Sequence, residues 1–355
     1  MKKVIIGLLF LTIFAIGCMP KNTVKLEYKY NQGEVLKHKL TLINDFILDV
    51  NLPATLSNTP PIPSTETTAI SSSEGTASTQ EAASLPAGLN KKYEINTRLE
   101  LLCIKSIKNI TPDGLITIEE RFEPLSEEIL INKESTLLEG CSISDILRNK
   151  ILTLRITTSG SVLNTDGLDE LLKDVYKRAD LLGMEAVSRS RIGDVLRYEI
   201  EQIIQQSISM FPEEKLTKGD TWKREAIGSL PIISIKSTVT HTDMFNGFES
   251  INESDCAKIT GSITSTLSNE KPELSALIGG LANKVKQDEL SVNGAERGTT
   301  LIYFAHKKGQ LIKNQILKEG FVNVTAPLMM GTVTSGTIGI KMTTNTKYIM
   351  ERYTQ

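Results

Sequence analysis

The sequence predicts an α+β fold: a long, curved antiparallel β-sheet, half-barrel-like in outline, with two amphipathic helices inserted mid-chain. Three observations predict it. Apolar and polar residues alternate over long stretches on both sides of the chain's centre, the pattern of strands with one buried face. Between about residues 168 and 211 the period lengthens to that of a one-faced helix. Turn chemistry separates several of the alternating runs.

At the amino end, Lys2 and Lys3 precede an uncharged run from Val4 to Ile16. That run is shorter than the ~20 apolar residues a membrane helix needs, and it has the proportions of a signal peptide. It ends in Ala15-Ile16-Gly17-Cys18, which resembles the lipobox of bacterial lipoproteins. The resemblance implies a signal peptide over residues 1–17, cleavage after Gly17, a diacylglycerol and an N-acyl chain on Cys18, and a short tether over 18–23. No other cofactor is expected. Each buried methylene contributes about 0.8 kcal/mol, so two or three chains anchor a protein durably. Met19 stands where an Asp would resemble an inner-membrane retention signal. The expected address is therefore the cell envelope, at the outer membrane if the host has two, with the body in the periplasm or at the surface.

The remainder, 24–355, is expected to be one large β-rich domain or two intimately joined ones. Leu36, His38, Leu40, Leu42, Phe46, Leu48 and Val50 share one strand phase, and Lys37, Lys39, Asp45 and Asp49 the other. Residues 58–90 are rich in Pro, Ser, Thr and Ala and contain no aromatic residue, a composition expected to remain disordered. The strand pattern resumes with Tyr93, Ile95, Leu99, Leu101, Cys103 and Ile107, so the simplest topology is a long hairpin with the excursion at its tip. Thr111-Pro112-Asp113-Gly114 supplies a turn. Ile116, Ile118 and Phe122, then Leu152, Leu154 and Ile156, continue the sheet.

Leu168, Leu171, Leu172, Val175, Tyr176, Ala179 and Leu182 form the first helical stripe; Ile192 to Phe211 form the second, before Pro212. Strands return around Ile233–Val239, Ala257–Leu267, Thr299–Ala305, Gln310–Val324 and Thr332–Tyr353. The Gly/Thr-rich "GTVTSGTIG" within the last of these is expected to be an edge strand.

Composition excludes more than it assigns. The chain has 355 residues, 40% hydrophobic and 23% charged, with a net charge of −2 that becomes −4 once Lys2 and Lys3 are removed. No broad basic field of the kind nucleic acid requires is present. Cys103, Cys141 and Cys256 lack metal spacing and are expected to be buried thiols. The three histidines are far apart. His38 falls on an apolar strand phase, as a satisfied core or cavity residue would; His241 could face a cavity; His306 sits beside a turn and should be solvated. Glu119 and Glu120 point to opposite faces of a strand, so they cannot act together on one substrate. No metal site, catalytic residue or hydrolase, kinase or dinucleotide motif is found, and an enzyme is not expected.

Tyr30-Asn31-Gln32-Gly33-Glu34, "SGSVLNTDGLDELL", Phe211-Pro212, Gly219-Asp220 and Trp222 resemble a bacterial family of exported domains of unknown function, many of them lipoproteins. With "NGFESINESDCAKITGSI" and "IYFAHKKGQL", which resemble its closing strands, the similarity covers most of Val24 to Tyr353. The resemblance implies an exported β-rich fold and transfers no catalytic residue; Trp222 is expected to contribute buried area at a tight turn into a strand.

Two functions compete on this reading. Amphipathic helices over the concave side of a curled sheet resemble the architecture of envelope lipid and lipoprotein carriers and would suit a hydrophobic ligand. Alternatively, the helices fill the core and the outer surface meets envelope protein partners, with no small-molecule ligand. Either way the anchor makes a membrane the first partner.

Overall fold

The computed structural model describes residues 23–51, 91–135, 142–181, 186–230, 235–267, 285–330 and 333–353. Gly17, Cys18, the tether up to Asn22, the 58–90 excursion and Cys141 lie outside the described residues.

The alternating residues form twelve strands: β1 (Val35–Asn51), β2 (Lys91–Ile110), β3 (Ile116–Ile131), β4 (Glu134–Ser135), β5 (Ile151–Ile156), β6 (Val162–Asp166), β7 (Thr221–Leu230), β8 (Ile235–Ile251), β9 (Ser254–Leu267), β10 (Ser291–Ala305), β11 (Gln310–Met330) and β12 (Val333–Arg352). Among the described residues three α-helices interrupt them: α1 (Ile143–Leu147), α2 (Leu168–Leu181) and α3 (Ala186–Ser207). All the strands belong to one sheet, in the order β6-β5-β3-β2-β1-β12-β11-β10-β9-β8-β7, with β4 paired to β3.

The chain thus starts mid-sheet and steps outward to the edge strand β6. It crosses by way of α2 and α3 to the opposite edge at β7, then steps back until β12 pairs with β1, for example Leu42 with Tyr348.

This corrects the expected fold class. The protein is largely all-β, not α+β with a curved sheet and two amphipathic helices as co-equal parts. The helical periods are confined to the link between the two edge strands, while every other long apolar pattern enters one sheet. The expected edge position of "GTVTSGTIG" is also corrected: β12 lies between β1 and β11, with its backbone paired on both sides.

The sheet curls strongly. Phe211 donates its backbone N–H to the Ser159 carbonyl, just past β5, at 2.8 Å, and its ring centroid lies 4.6 Å from that of Phe304 on β10. In a flat sheet β5 and β10 would stand six strand spacings apart, about 29 Å at roughly 4.8 Å each. One phenylalanine cannot bridge that gap, so this end of the sheet is drawn nearly shut. Tyr28 bridges it as well, donating its N–H to Thr158 O at 2.8 Å with its ring 5.2 Å from Phe304.

The inner face accommodates the curl through glycine. A Cβ on Gly261 would lie 2.2 Å from Asp243 Oδ1, and one on Gly298 would lie 2.4 Å from the Leu317 carbonyl oxygen.

Helix α3 lies on the concave side because Ile200, Ile203 and Ile204 recur on one face, with Ile208 just beyond the helix end. They are buried with Leu40, Leu99, Leu101, Ile118, Ile316 and Met350 in the main core. A second apolar cluster occupies the opposite end of the sheet: Phe46, Val50, Val322, Val324, Ala326, Leu328, Ile338, Ile340 and Met342, with Val285.

Candidate functional site: the concave face

Strand phase sends one set of side chains inward, and they fall into three levels. The lowest is a polar knot inside the main core. Lys105 and Glu120 are register partners on β2 and β3, 1% and 0% exposed. Lys105 Nζ donates to the Ser207 carbonyl at the end of α3, and Ser207 Oγ donates to Glu120 Oε2 at 3.2 Å. Burial raises the Glu120 carboxyl and lowers the Lys105 ammonium, and their mutual attraction opposes both shifts.

Asn314 on β11 donates from Nδ2 to Gln206 O at 3.0 Å, so both flanks of the sheet hold the same helix end. Tyr28 OH donates to Ser209 O at 3.2 Å and accepts the Ser209 N–H at 2.8 Å.

Above the knot, neighbouring strands supply a polar belt. In register across the sheet run Arg224, His241, Ile263, Gly298, Lys318, Thr346 and Asn44. The next level holds Ser265, Glu296, Gly320 and Thr344. Arg224 donates from Nε to Asp243 Oδ2 at 3.0 Å, with Nη2 2.9 Å from the same oxygen, and Thr300 Oγ1 donates to Asp243 Oδ1 at 3.0 Å.

Lys318 is 7% exposed, with Nζ 3.8 Å from Glu296 Oε1. From α3, Glu199 reaches the same level, hydrogen-bonded to Tyr348. Burial pushes its carboxyl up to about 7, opposed by the Lys318 charge. The Tyr348 and Tyr198 hydroxyls are raised by burial and by the nearby carboxylates. Glu199, Glu296, Gly298, Gly320, Thr344, Thr346 and Asn44 are only half-buried, so water reaches the belt although it lies on the concave face. The second apolar cluster forms the third level.

His38 faces inward on β1 and is 2% exposed. Its Nε2 lies 3.1 Å from Leu311 O, and Nδ1 has no partner among the described residues. Burial, with Lys105 nearby, lowers its pKa to about 3. His241 lies in the belt, Nδ1 3.4 Å from Arg224 Nη2, and burial beside that guanidinium lowers it to about 3. Trp222 is half-buried against the main core, with Nε1 buried and unbonded among the described residues. The structure thus separates the three: His38 belongs to the knot, His241 to the belt, and Trp222 to the β7 edge.

His306 is not freely solvated; its ring packs at a 44° tilt against Phe248, with centroids 4.6 Å apart. Cys103 and Cys256 are buried free thiols. Glu120 turns inward, while Glu119 turns outward to Lys108 at 2.7 Å.

Lys105, Asp243 and Lys318 were missed by motif reasoning, which looks for known spacings, and Glu120 was weighed only as a partner for Glu119. The signal for three of the four was in the strand phase. Lys105 stands between Cys103 and Ile107, Glu120 between Ile118 and Phe122, and Lys318 two residues from Ile316, each on a buried phase.

Comparison with known proteins adds a family. A model described as a family of unknown function (DUF6263) matches residues 131–299. That span runs from the end of β3 through both long helices into β10, so Phe211-Pro212, Gly219-Asp220 and Trp222 fall inside it and Tyr30–Glu34 falls outside. Over this stretch the chain is similar to a family without an assigned function. No curated protein matches the chain. The crystal structure of the outer membrane protein OprG from Pseudomonas aeruginosa aligns over 92% of this chain and 100% of that one, at 4% identity and a TM-score of 0.18, a likeness too slight to carry an argument.

Among the described residues no helix is long and apolar enough to cross a membrane, and no group of three or more His, Cys, Asp or Glu is arranged to hold a metal ion.

Proposed function

We propose that this protein is a membrane-anchored envelope lipoprotein, non-enzymatic, that binds a hydrophobic ligand against the concave face of its sheet. The observation that carries the proposal is the layering of that face. A half-buried polar belt separates the core beneath α3 from a second, buried apolar cluster on β1, β11 and β12. A sheet that only needed a core would gain from continuous apolar packing. An apolar wall with a few convergent polar groups at one level is how ligand sites are built. From Lys318 to Leu328 β11 rises about 33 Å at roughly 3.3 Å per residue, longer than the ~15 Å of hydrocarbon in one bilayer leaflet.

Native mass spectrometry and solvent extraction of the chain from Met19 onward, produced without the lipid anchor, should release a co-purifying hydrophobic molecule. A ligand-free chain that also fails to take up a fluorescent fatty probe would leave the structural role, in which the second cluster is ordinary core and the partners are envelope proteins. The anchor has its own test. Globomycin should cause a larger precursor to accumulate, and the mature protein should carry acyl mass on Cys18.

A further inference from the structure

We infer that the end of the sheet drawn shut by Tyr28 and Phe211 is a membrane-facing surface. It lies against the headgroups of the anchoring bilayer, and the second apolar cluster stands away from them. This rests on the lipid anchor at Cys18 proposed above and assigns which part of the body meets the membrane.

The segment from Val24 to Tyr30 is part of the core. Val24, Leu26, Tyr28 and Tyr30 are buried in the main cluster, alternating with the more exposed Lys25, Glu27 and Lys29. Val24 exchanges both backbone hydrogen bonds with Leu216, at 2.9 and 2.7 Å. Tyr28 and Lys29 donate their N–H groups to Thr158 O and Gly309 O, on opposite flanks of the closed end, at 2.8 and 3.3 Å. The chain is therefore fixed to the body from Val24 onward.

Six residue steps separate Cys18 from Val24. Fully extended they reach about 20–22 Å, at roughly 3.3–3.6 Å each. Four turns share the end from which that chain leaves. They join β2 to β3 beyond Ile110–Ile116, β5 to β6 beyond Ile156–Val162, β8 to β9 beyond Ile251–Ser254 and β10 to β11 beyond Ala305–Gln310. Lys25 and Glu27 line one surface cleft with Asp113 of the first turn, so the body starts among these turns.

The far end of β1 is out of the anchor's range. Asn51 lies sixteen residues beyond Val35, about 54 Å at roughly 3.4 Å per residue. Tilted by roughly 40°, as strands of a closing sheet are, β1 still rises about 41 Å along the axis. The tether spans about half that height. It brings the turns to the bilayer surface and does not bring Asn51 there. The convex side of the central strands carries Lys37, Lys39, Asp45 and Asp49 on β1 and Lys341 and Lys347 on β12, so it offers a bilayer no continuous apolar band to lie in.

The test uses the full lipidated chain in vesicles of phosphatidylethanolamine and phosphatidylglycerol. Cys141 is replaced by Ser, Cys103 and Cys256 are buried, and the Cys18 sulfur carries the diacylglycerol, so a maleimide dye reads only a newly placed cysteine. Asp113→Cys marks the exposed turn beside Lys25 and Asn51→Cys the exposed far end of β1. Energy transfer to a headgroup-labelled lipid should be several-fold more efficient from position 113 than from position 51. A second pair should give the same order: Lys215→Cys, beside the Val24 pairing, and Lys341→Cys, the register partner of Asp49.

Equal transfer from the two positions of either pair, or more from the far one, overturns the orientation and leaves the anchor standing. A chain that does not float with the vesicles overturns the lipid anchor itself.

Discussion

The Lys105–Glu120 pair under the end of α3 allows a sharp test of what fastens the helix to the sheet. Both side chains are essentially inaccessible, so each is costly to leave alone. Replacing Lys105 with Met leaves a buried carboxyl whose Oε1 already lacks a partner among the described residues, and strips the Ser207 carbonyl of its donor. Losing one partner of such a pair costs about 3–5 kcal/mol. Protonation of Glu120, already favoured by burial, should hold the loss near the lower figure.

Glu120→Met strands the ammonium and should cost about as much. The double variant removes both charges and forfeits mainly the hydrogen bond to Ser207, about 1–3 kcal/mol for a charged donor. The two single losses should therefore exceed the double loss by at least about 3 kcal/mol. Urea unfolding followed by the fluorescence of Trp222, the chain's one tryptophan, measures all four proteins. A double variant as unstable as the sum of the singles would falsify the claim that the two groups compensate each other.

Other outcomes follow from the same geometry. His38 is neutral in the fold with a pKa of about 3 against an ordinary 6.5, so its contribution is complete above pH 6.5 and is lost as pH falls toward 3. His38→Gln should flatten acid destabilisation in that window, and an unchanged pH profile would count against a buried neutral ring. Glu199 has the reverse sign. Its raised pKa of about 7 means stability present below about 4.5 is lost as pH rises through 7, so Glu199→Gln should gain roughly 1–3 kcal/mol at pH 8 and little at pH 4, read from urea midpoints. Gly160 has φ +88°, and an added Cβ would lie 2.1 Å from Ser209 O, whereas Gly33 has φ +83° and nothing within 4 Å. Gly33→Ala should cost about 1–2 kcal/mol from backbone strain, and Gly160→Ala clearly more; equal thermal shifts would refute the close approach of Ser209 to that turn.

The sequence by itself determined which side of each strand turns inward. Leu40 and Leu42 on β1, and Leu99, Leu101 and Cys103 on β2, are buried as their alternation required, because a period of two maps directly onto two faces. The helical stripe around Ile200, Ile203 and Ile204 and the turn beside His306 were equally local, and both appear where the pattern places them.

Fold class and the belt were decided only in three dimensions. Periodicity says that a face is buried, not which strand lies beside it or how far a sheet curls. The "GTVTSGTIG" stretch therefore read as an edge, yet β12 closes the sheet against β1 from the other end of the chain. Glu199, Glu296, Lys318 and Tyr348 share no local motif; a helix and three strands bring them to neighbouring levels of the concave face. Their charge balance depends on burial and neighbours, which the curled sheet sets and a linear pattern cannot contain.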